Sequence, residues 1–296
     1  MSTPELILLT SPDWQDYELL DSGAGARLER YGAYQFMRPE HQAVWARSLP
    51  ASQWEKSHAI FHPTAEESGG RWEFRRPVQP EWVMQYKGLK FQARAANSRQ
   101  LGVFPEQANH WDWMAGLIRA AGRPVRVLNL FGYTGLASLA AAQAGASVTH
   151  VDASKKAVQW ARNNQELSGL QDKPIRWLVD DVDKFVRREL RRESRYDALV
   201  LDPPKFGRGP EGQVWEFFDS LPDLLDRCRG LLSSQPLFMV LTAYAIRASA
   251  LSIYYAMQEI TTAFPGELAA GELALVEKSA GRLLSTAIFA RWAAII

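Results

Sequence analysis

One stretch of the chain, residues 125–152, constrains its possible folds more than any other. It reads VRVLNLFGYTGLASLAAAQAGASVTHVD and opens with a short apolar run of strand length. Gly132 and Gly135 then mark a tight turn into an alanine-rich helix, and a second apolar run leads to Asp152. A strand–helix–strand unit of this size, with an acidic residue after its second strand, is typical of an α/β half that binds a nucleoside.

Two kinds of nucleoside ligand compete for this unit. A dinucleotide-binding turn carries Gly-x-Gly-x-x-Gly, whose second glycine lets a pyrophosphate approach the backbone. This turn is Phe131-Gly132-Tyr133-Thr134-Gly135 and does not match. Its bulky Phe131 and Tyr133 leave less space for a diphosphate, whereas S-adenosylmethionine carries none. The turn therefore favours S-adenosylmethionine over NAD, and a βαβ unit without a ligand is the remaining alternative.

The alternation of strands and helices continues to the C-terminus. We expect a helix over 111–121 before the first strand. After Asp152 we expect helices over 154–168, 182–192, 214–232 and 246–263, and strands over 175–179, 196–201 and 237–242. Two further strands, 272–276 and 283–292, are separated by a short turn and form a hairpin. The pattern predicts an α/β fold: a Rossmann-like, seven-stranded, mostly parallel sheet with a terminal antiparallel hairpin, as in class I methyltransferases.

The N-terminal part differs in composition. We expect a small, mostly-β domain over 1–105 and the cofactor-binding domain over 106–296. Strands are predicted over 72–74, 82–86 and 89–94, and a turn over 21–25. The aromatic side chains either build the core of this β module or stack on bases, and a module of this size favours a core. Seven of the eleven tryptophans lie within the first 113 residues: Trp14, Trp45, Trp54, Trp72, Trp82, Trp111 and Trp113.

Charge and cysteine content exclude several classes. The net charge of +1 indicates no global basic field, so any RNA-binding surface must be local. The single cysteine, Cys228, excludes a disulfide framework, and the five histidines show no metal-binding pattern. We expect no metal, no signal peptide, no membrane segment of roughly 20 apolar residues, and a cytoplasmic protein.

Five arginines crowd one predicted helix and its end. They are offset by Glu189 and Glu193, so a solvated, ion-paired helix face is one explanation and a track for RNA phosphates is the other. The five are Arg187, Arg188, Arg191, Arg192 and Arg195.

Four segments in order carry a family resemblance. They are the turn over 129–135, Val151-Asp152-Ala153-Ser154, Asp181 after the third strand, and Asp202-Pro203-Pro204-Lys205-Phe206 after the fourth. With them the chain resembles the bacterial 23S ribosomal RNA large-subunit methyltransferases that act on cytosine C5 or guanine N7. The resemblance covers about residues 100–296, with fainter matches over 19–23 and 101–109.

The resemblance implies roles for these residues. The backbone of 131–135 is expected to line the methionine part of S-adenosylmethionine, Asp152 its ribose and Asp181 its adenine. Asp181 can instead simply cap the following helix, and Phe206 can stack on a base or act as a lid. The expected cofactor-binding residues are Gln107, Asn129, Phe131, Gly132, Tyr133, Thr134, Gly135, Asp152, Ala153, Ser154, Asp181 and Asp202. The expected acceptor-site residues are Asp202, Pro203, Pro204, Lys205 and Phe206.

One departure from the family bears on the acceptor atom. Cytosine C5 becomes nucleophilic only after a thiolate adds at C6, and the C5 members carry a cysteine after the fifth strand. Here that place reads Leu241-Thr242-Ala243-Tyr244, and Cys228 falls on an apolar helix stripe, which predicts a core residue. We therefore expect direct transfer to a nitrogen or oxygen, with RNA as the expected partner. A protein or small-molecule acceptor, or an inactive binding module, remains the alternative, and the sequence does not predict the oligomeric state.

Overall fold

The computed structural model describes residues 4–11, 13–64, 69–96, 98–209 and 212–295. These residues form two compact units. The larger contains the segment up to Leu9, Gln107–Leu273 and the segment from Thr286 onward, and the smaller contains Thr10–Glu106 and Ala274–Ser285. The units differ from the expected division, 1–105 and 106–296, in two places. The first strand goes with the larger unit, and the tip of the terminal hairpin goes with the smaller one.

The smaller unit is built almost entirely of strands. After β1 (Leu6–Thr10), which belongs to the other unit's sheet, a five-stranded sheet runs in the order β2-β3-β4-β5-β6, and β7 and β8 form a separate hairpin. Its elements are β2 (Tyr17–Gly23), β3 (Ala26–Tyr31), β4 (Tyr34–Pro39), α1 (Ala51–Trp54), β5 (Ala59–Pro63), β6 (Gly70–Phe74), β7 (Trp82–Tyr86) and β8 (Leu89–Ala93).

The larger unit is a mostly parallel sheet with helices. Its eight strands run in the order β1-β16-β17-β15-β12-β9-β10-β11. A two-stranded hairpin, β13 and β14, stands apart from this sheet. The elements are α2 (Ala108–Ala120), β9 (Arg126–Leu130), α3 (Leu136–Gln143), β10 (Ser147–Asp152), α4 (Lys155–Leu167), β11 (Ile175–Val179), α5 (Val182–Arg191), β12 (Ala198–Leu201), β13 (Phe206–Arg208), β14 (Val214–Glu216), α6 (Phe217–Arg229), β15 (Phe238–Ala243), α7 (Ala250–Thr261), β16 (Gly266–Val276) and β17 (Leu283–Ala294).

Strand β9 lies where the order of the sheet reverses. The chain continues from β9 to β10 and β11 on one side, then returns to place β12 on the other side. In register, Leu130 pairs with Val151 of β10 and with Leu201 of β12. The residues that follow these three strands therefore leave the sheet together at the carboxyl ends of the strands, which is where open α/β sheets bind ligands.

The predicted α/β class, the parallel sheet and the terminal hairpin are confirmed, with two corrections. The sheet has eight strands rather than seven, because β1 joins it beside β16. The two approach so closely that a side chain at Gly271 would collide with the backbone of Ile7. Residues 214–216 were expected to begin a helix but pair with β13, so that helix begins only at Phe217. None of the helices in the described ranges is both long and apolar enough to span a membrane.

The aromatic residues of the smaller unit mostly build its core, as the sequence favoured. Trp14, Trp54 and Trp82 are buried, and the Trp14 ring lies 4.5 Å from that of Tyr86. Phe36 stacks on Trp82 with ring centroids 5.5 Å apart. Because these rings pack on one another, their faces are not free to stack on bases.

The expected turn over 21–25 is shorter than predicted, since residues 21–23 end strand β2. The Asp21 carboxylate is buried and accepts hydrogen bonds from the Trp54 indole at 2.9 Å and from the Ser279 hydroxyl at 2.7 Å. Ser279 Oγ also lies 2.6 Å from Glu277, so its single hydroxyl hydrogen is shared between the two carboxylates, and Glu277 accepts from Ser22. These buried bonds explain why residues 274–285 group with the smaller unit.

A buried ion pair holds β3 and β4 together. The Arg38 guanidinium binds the Glu29 carboxylate through two hydrogen bonds of 2.7 Å, and both residues are buried. The hydroxyls of Tyr17 and Tyr31 donate to the same carboxylate at 3.0 and 3.2 Å. Burial raises the pKa of Glu29, but Arg27 and Arg38 outweigh it and lower this pKa from its ordinary value of 4.5 to about 2.

We expect Glu29→Gln to lower the free energy of unfolding by about 3–5 kcal/mol, because it leaves buried guanidinium groups without a counter-charge. Urea denaturation would measure the loss. Since the folded pKa is depressed, the Glu29 contribution is complete above pH 4.5 and is lost as pH falls toward 2. The matched control is Glu73→Gln at an exposed ion pair with Arg75, which should leave stability nearly unchanged because solvent screens the pair. Equal losses in the two variants would contradict the prediction.

Candidate functional site

The turn after β9 is held in an unusual backbone conformation. Phe131, Tyr133 and Gly135 all have positive φ, at 58°, 49° and 82°. Two of the three carry side chains, and such strain persists only where surrounding contacts fix it. The Gly132 amide donates to the Val151 carbonyl at 3.1 Å, and the Gly135 amide donates to the Gly132 carbonyl at 3.0 Å. The turn therefore enters α3 in a fixed shape.

A buried polar network lies under this turn. Ser138 Oγ accepts from Asn129 Nδ2 at 2.8 Å and lies 3.0 Å from His150 Nδ1. Burial lowers the pKa of His150 to about 3, so its ring is neutral. A side chain at Gly132 would collide with this ring, which explains the glycine. Asn129 was expected at the cofactor, and its hydrogen bond to Ser138 places it in this network.

Thr134 is also buried, and its carbonyl accepts from Asn164 Nδ2 at 2.9 Å. Asn164 belongs to α4, which begins at Lys155, shortly after Asp152. The turn is thus anchored to the sheet through Gly132 and to a second helix through Thr134. The anchor at Thr134 was not evident in the sequence, because Asn164 lies in a segment that reads simply as helix.

Asp152 lies beside the turn at the end of β10. Its Oδ2 accepts from the Tyr133 amide at 2.8 Å, and its Oδ1 accepts from the Ser154 amide at 2.8 Å. A carboxylate oxygen has two lone pairs, so each oxygen keeps one acceptor position. That pair of positions suits the two hydroxyls of a ribose. Burial raises the pKa of Asp152, although both amide bonds oppose the increase.

The next two expected residues have helix-capping geometry. Ser154 Oγ accepts from the Ala157 amide at 3.2 Å and caps α4. Asp181 Oδ1 accepts from the Lys184 amide at 2.9 Å and caps α5, the alternative left open by the sequence. Its other oxygen, Oδ2, lies against Gly209, where a side chain would come within 2.8 Å of it. Contact of Asp181 with adenine stays a prediction.

Asp202 follows β12 on the other side of β9. Its Oδ2 accepts from Gln107 Nε2 at 3.1 Å, so the structure brings together two residues that lie 95 positions apart. Gln107 is the N-terminal cap position of α2. This bond fixes the direction of the Asp202 carboxylate at the edge where the Phe131 turn begins.

The segment after Asp202 continues into the hairpin of β13 and β14. Pro203 is buried, whereas Pro204, Lys205 and Phe206 are exposed, and 47% of Phe206 is accessible. The Pro204 carbonyl accepts from Trp215 Nε1 at 2.6 Å, which leaves the Pro203 carbonyl as the other proline acceptor. The exposure of Phe206 fits a stacking surface better than a lid packed on protein.

Trp215 is the site residue that the sequence did not reveal. Its ring lies 4.9 Å from that of Phe131, and its indole N–H donates to the Pro204 carbonyl. One side chain thus contacts both the turn over 131–135, which we call the cofactor turn because it is the expected cofactor site, and the segment after Asp202. Residues 206–216 contain three glycines and a proline between two short alternating stretches. That pattern is a hairpin signal that the expected helix over 214–232 obscured.

Two other sequence hypotheses concern residues away from this edge. Cys228 is fully buried in the core, and burial raises its pKa to about 12, as expected of a core residue. The arginines of α5 are ion-paired: Arg187 with Asp183 at 2.7 Å, Arg188 with Asp180, and Arg192 with Glu189 at 3.2 Å. The ion-paired alternative therefore describes these three, whereas Arg191 lies exposed. Within the described residues, no three His, Cys, Asp or Glu side chains are placed to hold a metal ion.

Comparisons with known proteins found a matching family model and similar sequences and structures. A family model described as S-adenosylmethionine-dependent methyltransferase matches residues 26–236. A solved structure, the SAM-dependent methyltransferase from Agrobacterium tumefaciens, is 48% identical with a TM-score of 0.93, and the match covers 99% of this chain and 96% of that one.

Two curated relatives are named as ribosomal RNA methyltransferases. Ribosomal RNA large subunit methyltransferase I of Aeromonas salmonicida is 32% identical over 52% of this chain and 35% of its own length. Ribosomal RNA large subunit methyltransferase K/L of a Psychrobacter species is 30% identical over 63% of this chain and 24% of its own length. The chain thus spans about a third of the first relative and about a quarter of the second.

The residues present fit S-adenosylmethionine. Asp152 offers paired acceptor positions for a ribose, and the strained turn over 131–135 presents backbone beside it. The Phe131 ring packs against Trp215 and the Tyr133 ring against Trp160, which gives the turn an apolar, aromatic surrounding.

We expect Asp152→Asn to weaken binding of S-adenosylhomocysteine by about 1–3 kcal/mol, because an amide can accept only on one side and opposes one of the two backbone N–H groups. Calorimetry would measure the affinity, with Asp172→Asn on an exposed turn as the control. Because the pKa of Asp152 is raised, its carboxylate becomes protonated early as the pH is lowered. The affinity of the wild type for S-adenosylhomocysteine should therefore begin to fall at a higher pH than it would with an aspartate of ordinary pKa. A variant that binds as tightly as wild type would contradict the ribose assignment.

A second prediction concerns Trp215. Trp215→Phe keeps a ring beside Phe131 but removes the hydrogen bond to Pro204. We expect methyl transfer from labelled cofactor, with a cell extract as acceptor, to slow by roughly tenfold, while affinity for S-adenosylhomocysteine stays within about twofold. Trp113→Phe, on α2 against Phe238, is the control and should change neither. If Trp215→Phe lowered the affinity for S-adenosylhomocysteine as much as the transfer rate, Trp215 would act only by supporting the cofactor turn, which would contradict the prediction.

Proposed function

Because this chain belongs to the S-adenosylmethionine-dependent methyltransferase family, we propose that it transfers the methyl group of that cofactor to a nitrogen of an RNA base, with ribosomal RNA as the substrate. Its cofactor is S-adenosylmethionine. The observation that carries the proposal is the pair formed by the cofactor turn after β9 and the segment from Asp202 to Phe206 after β12, joined by Trp215.

The acceptor segment has the chemistry to hold an amino-bearing base. Asp202 and the Pro203 carbonyl are acceptors for base N–H groups, and Gln107 fixes the carboxylate. Proline carbonyls are well suited to this because proline fixes its own φ. Phe206 is exposed beside them, and aromatic rings stack on unpaired bases. These groups would orient a base nitrogen toward the cofactor turn.

The cofactor supplies an electrophilic methyl group on a sulfonium. A base nitrogen held by Asp202 would need no protein nucleophile: its N–C bond would form as the C–S bond of the cofactor breaks, S-adenosylhomocysteine would leave, and the nitrogen proton would pass to solvent or Asp202. Alignment then contributes much of the rate. Asp202 orients the N–H group, and Trp215 keeps its segment against the turn.

The absence of a usable thiolate supports nitrogen over a pyrimidine carbon. The chain has one cysteine, Cys228, which is buried in the core with a raised pKa. A carbon acceptor such as cytosine C5 needs a nucleophile to add to the ring first. An exocyclic or ring nitrogen needs none.

The RNA substrate is supported by the names of the curated relatives, ribosomal RNA large subunit methyltransferases I and K/L. It is also supported by the exposed Phe206 next to Lys205. The net charge of +1 adds no support, so recognition must rest on local contacts.

Tritium transfer from labelled cofactor to separated RNA, protein and small-molecule fractions of a bacterial extract tests the proposal. Label in a ribosomal RNA nucleoside methylated on nitrogen is the expected result. Label in the protein or small-molecule fraction would replace the substrate class, and a carbon-methylated base would overturn the mechanism. No incorporation, despite binding of S-adenosylhomocysteine, would point to an inactive binding module.

We expect Cys228→Ser to retain methyl transfer within about twofold of wild type, while losing about 1–3 kcal/mol of stability from a hydroxyl placed in the core. Thermal unfolding and the labelled-transfer rate would be measured together. Cys228→Ala is the control that lacks the buried hydroxyl. If both variants fold at the assay temperature and neither methylates, a cysteine nucleophile is required after all.

A further inference from the structure

A concave surface lies at the amino ends of the strands of the larger sheet, whereas the candidate site lies at their carboxyl ends. It encloses about 340 Å³ and is lined at the starts of the strands by Arg126, Ser147, Thr149, Arg176 and Tyr196; we call it the edge groove. Strand β10 begins in the groove at Ser147 and ends at the candidate site with Asp152. At roughly 3.3 Å per residue, the two places are about 17 Å apart.

The register of the sheet places the polar groups of the groove on one face. Arg126 of β9 pairs with Ser147 of β10, and Thr149 of β10 pairs with Arg176 of β11. Paired residues of neighbouring strands point to the same face, and so do residues two apart on one strand. The two guanidinium groups therefore flank the two hydroxyl-bearing residues on a single surface.

The charge of Arg126 is not matched by an acid. Its guanidinium lies 5.1 Å from the centre of the Tyr196 ring, and no carboxylate among the described residues pairs with it. The nearby Asp197 accepts the Arg126 backbone amide at 2.9 Å, but its charge is paired with Arg123 at 2.8 Å. The cation of Arg126 is therefore held in place without a counter-ion.

One acid, Glu189, serves both Arg176 of the groove and Arg192, which lies outside the groove at the C-terminal cap of α5. Glu189 accepts from the Tyr196 hydroxyl at 2.8 Å and from Arg192 at 3.2 Å, whereas Arg176 reaches it only at 4.0 Å. Arg126, Arg176 and Arg192 against Glu189 leave a formal excess of two positive charges. In a chain whose net charge is +1, this is a pronounced local concentration.

We propose that the edge groove binds a phosphate group. Guanidinium groups bind phosphate through paired, charge-assisted hydrogen bonds, and the exposed Ser147 can add a hydroxyl donor. The phosphate is carried either by an RNA backbone or by a small phosphorylated compound. The groove is separate from the cofactor turn, so its occupant can be bound with or without S-adenosylmethionine.

The test measures binding of pyrophosphate and of a short single-stranded oligouridylate to the full chain, by calorimetry at low and moderate salt. In Arg126→Gln/Arg176→Gln, affinity for the bound probe should fall by about tenfold or more. For oligouridylate, the slope of log affinity against log salt concentration should become shallower by an amount equal to about one to two phosphate contacts. The matched control is Arg119→Gln/Arg229→Gln, which removes equal charge from exposed helix positions of the same unit. Affinity for S-adenosylhomocysteine should be unchanged in both double variants.

Each outcome decides the proposal. Loss of pyrophosphate binding alone assigns the groove to a small phosphorylated compound, and loss of oligouridylate binding assigns it to an RNA backbone. No binding of either probe to wild type, or an equal loss in the control, would overturn the site. If the glutamine variant unfolds, Arg126→Lys/Arg176→Lys retains the charge but not the paired geometry, and unchanged affinity in that variant would also overturn it.

Discussion

The register of three parallel strands is the constraint on which the rest of the larger unit depends. Because Leu130 lies between Val151 and Leu201, the chain leaves β9, β10 and β12 at one edge of the sheet. The order of the strands reverses at β9, so the residues after it face both neighbours. A shift of register by one residue would move the side chains of a strand to the opposite face of the sheet and displace Asp152 and Asp202 relative to the turn.

The same sheet has two chemically different edges. The edge after the strands carries carboxylates and strained backbone, which suit a nucleoside and an amino-bearing base. The edge before the strands carries guanidinium groups, of which only some are neutralised by Glu189. Elsewhere charge is compensated locally, by the ion pairs of α5 and by the buried Glu29 with Arg38. A near-neutral total thus conceals a polarised molecule, and the total charge is a poor guide to what the chain binds.

Trp215 and the Asn129–Ser138–His150 network have a common purpose in the candidate site: each fixes a loop that has no regular structure of its own. The network supports the turn over 131–135 from inside the core, and Trp215 ties that turn to the segment from Asp202 to Phe206 at the surface. Methyl transfer requires alignment more than chemical assistance, so residues that contact neither cofactor nor acceptor can still set the rate.

The sequence by itself determined the α/β class, the placement of the turn over 131–135 and the burial of Cys228, because apolar periodicity, glycine spacing and a helical apolar stripe are local properties. Contacts between distant segments decided the rest. Strand β1 joined the larger sheet, residues 214–216 formed a strand, and Gln107 met Asp202 across 95 positions. The capping bond of Asp181 and the ion pairs of the α5 arginines also appear only in the folded chain, since the same residues could make other contacts in another fold. Only tertiary structure specifies which partner a polar side chain reaches.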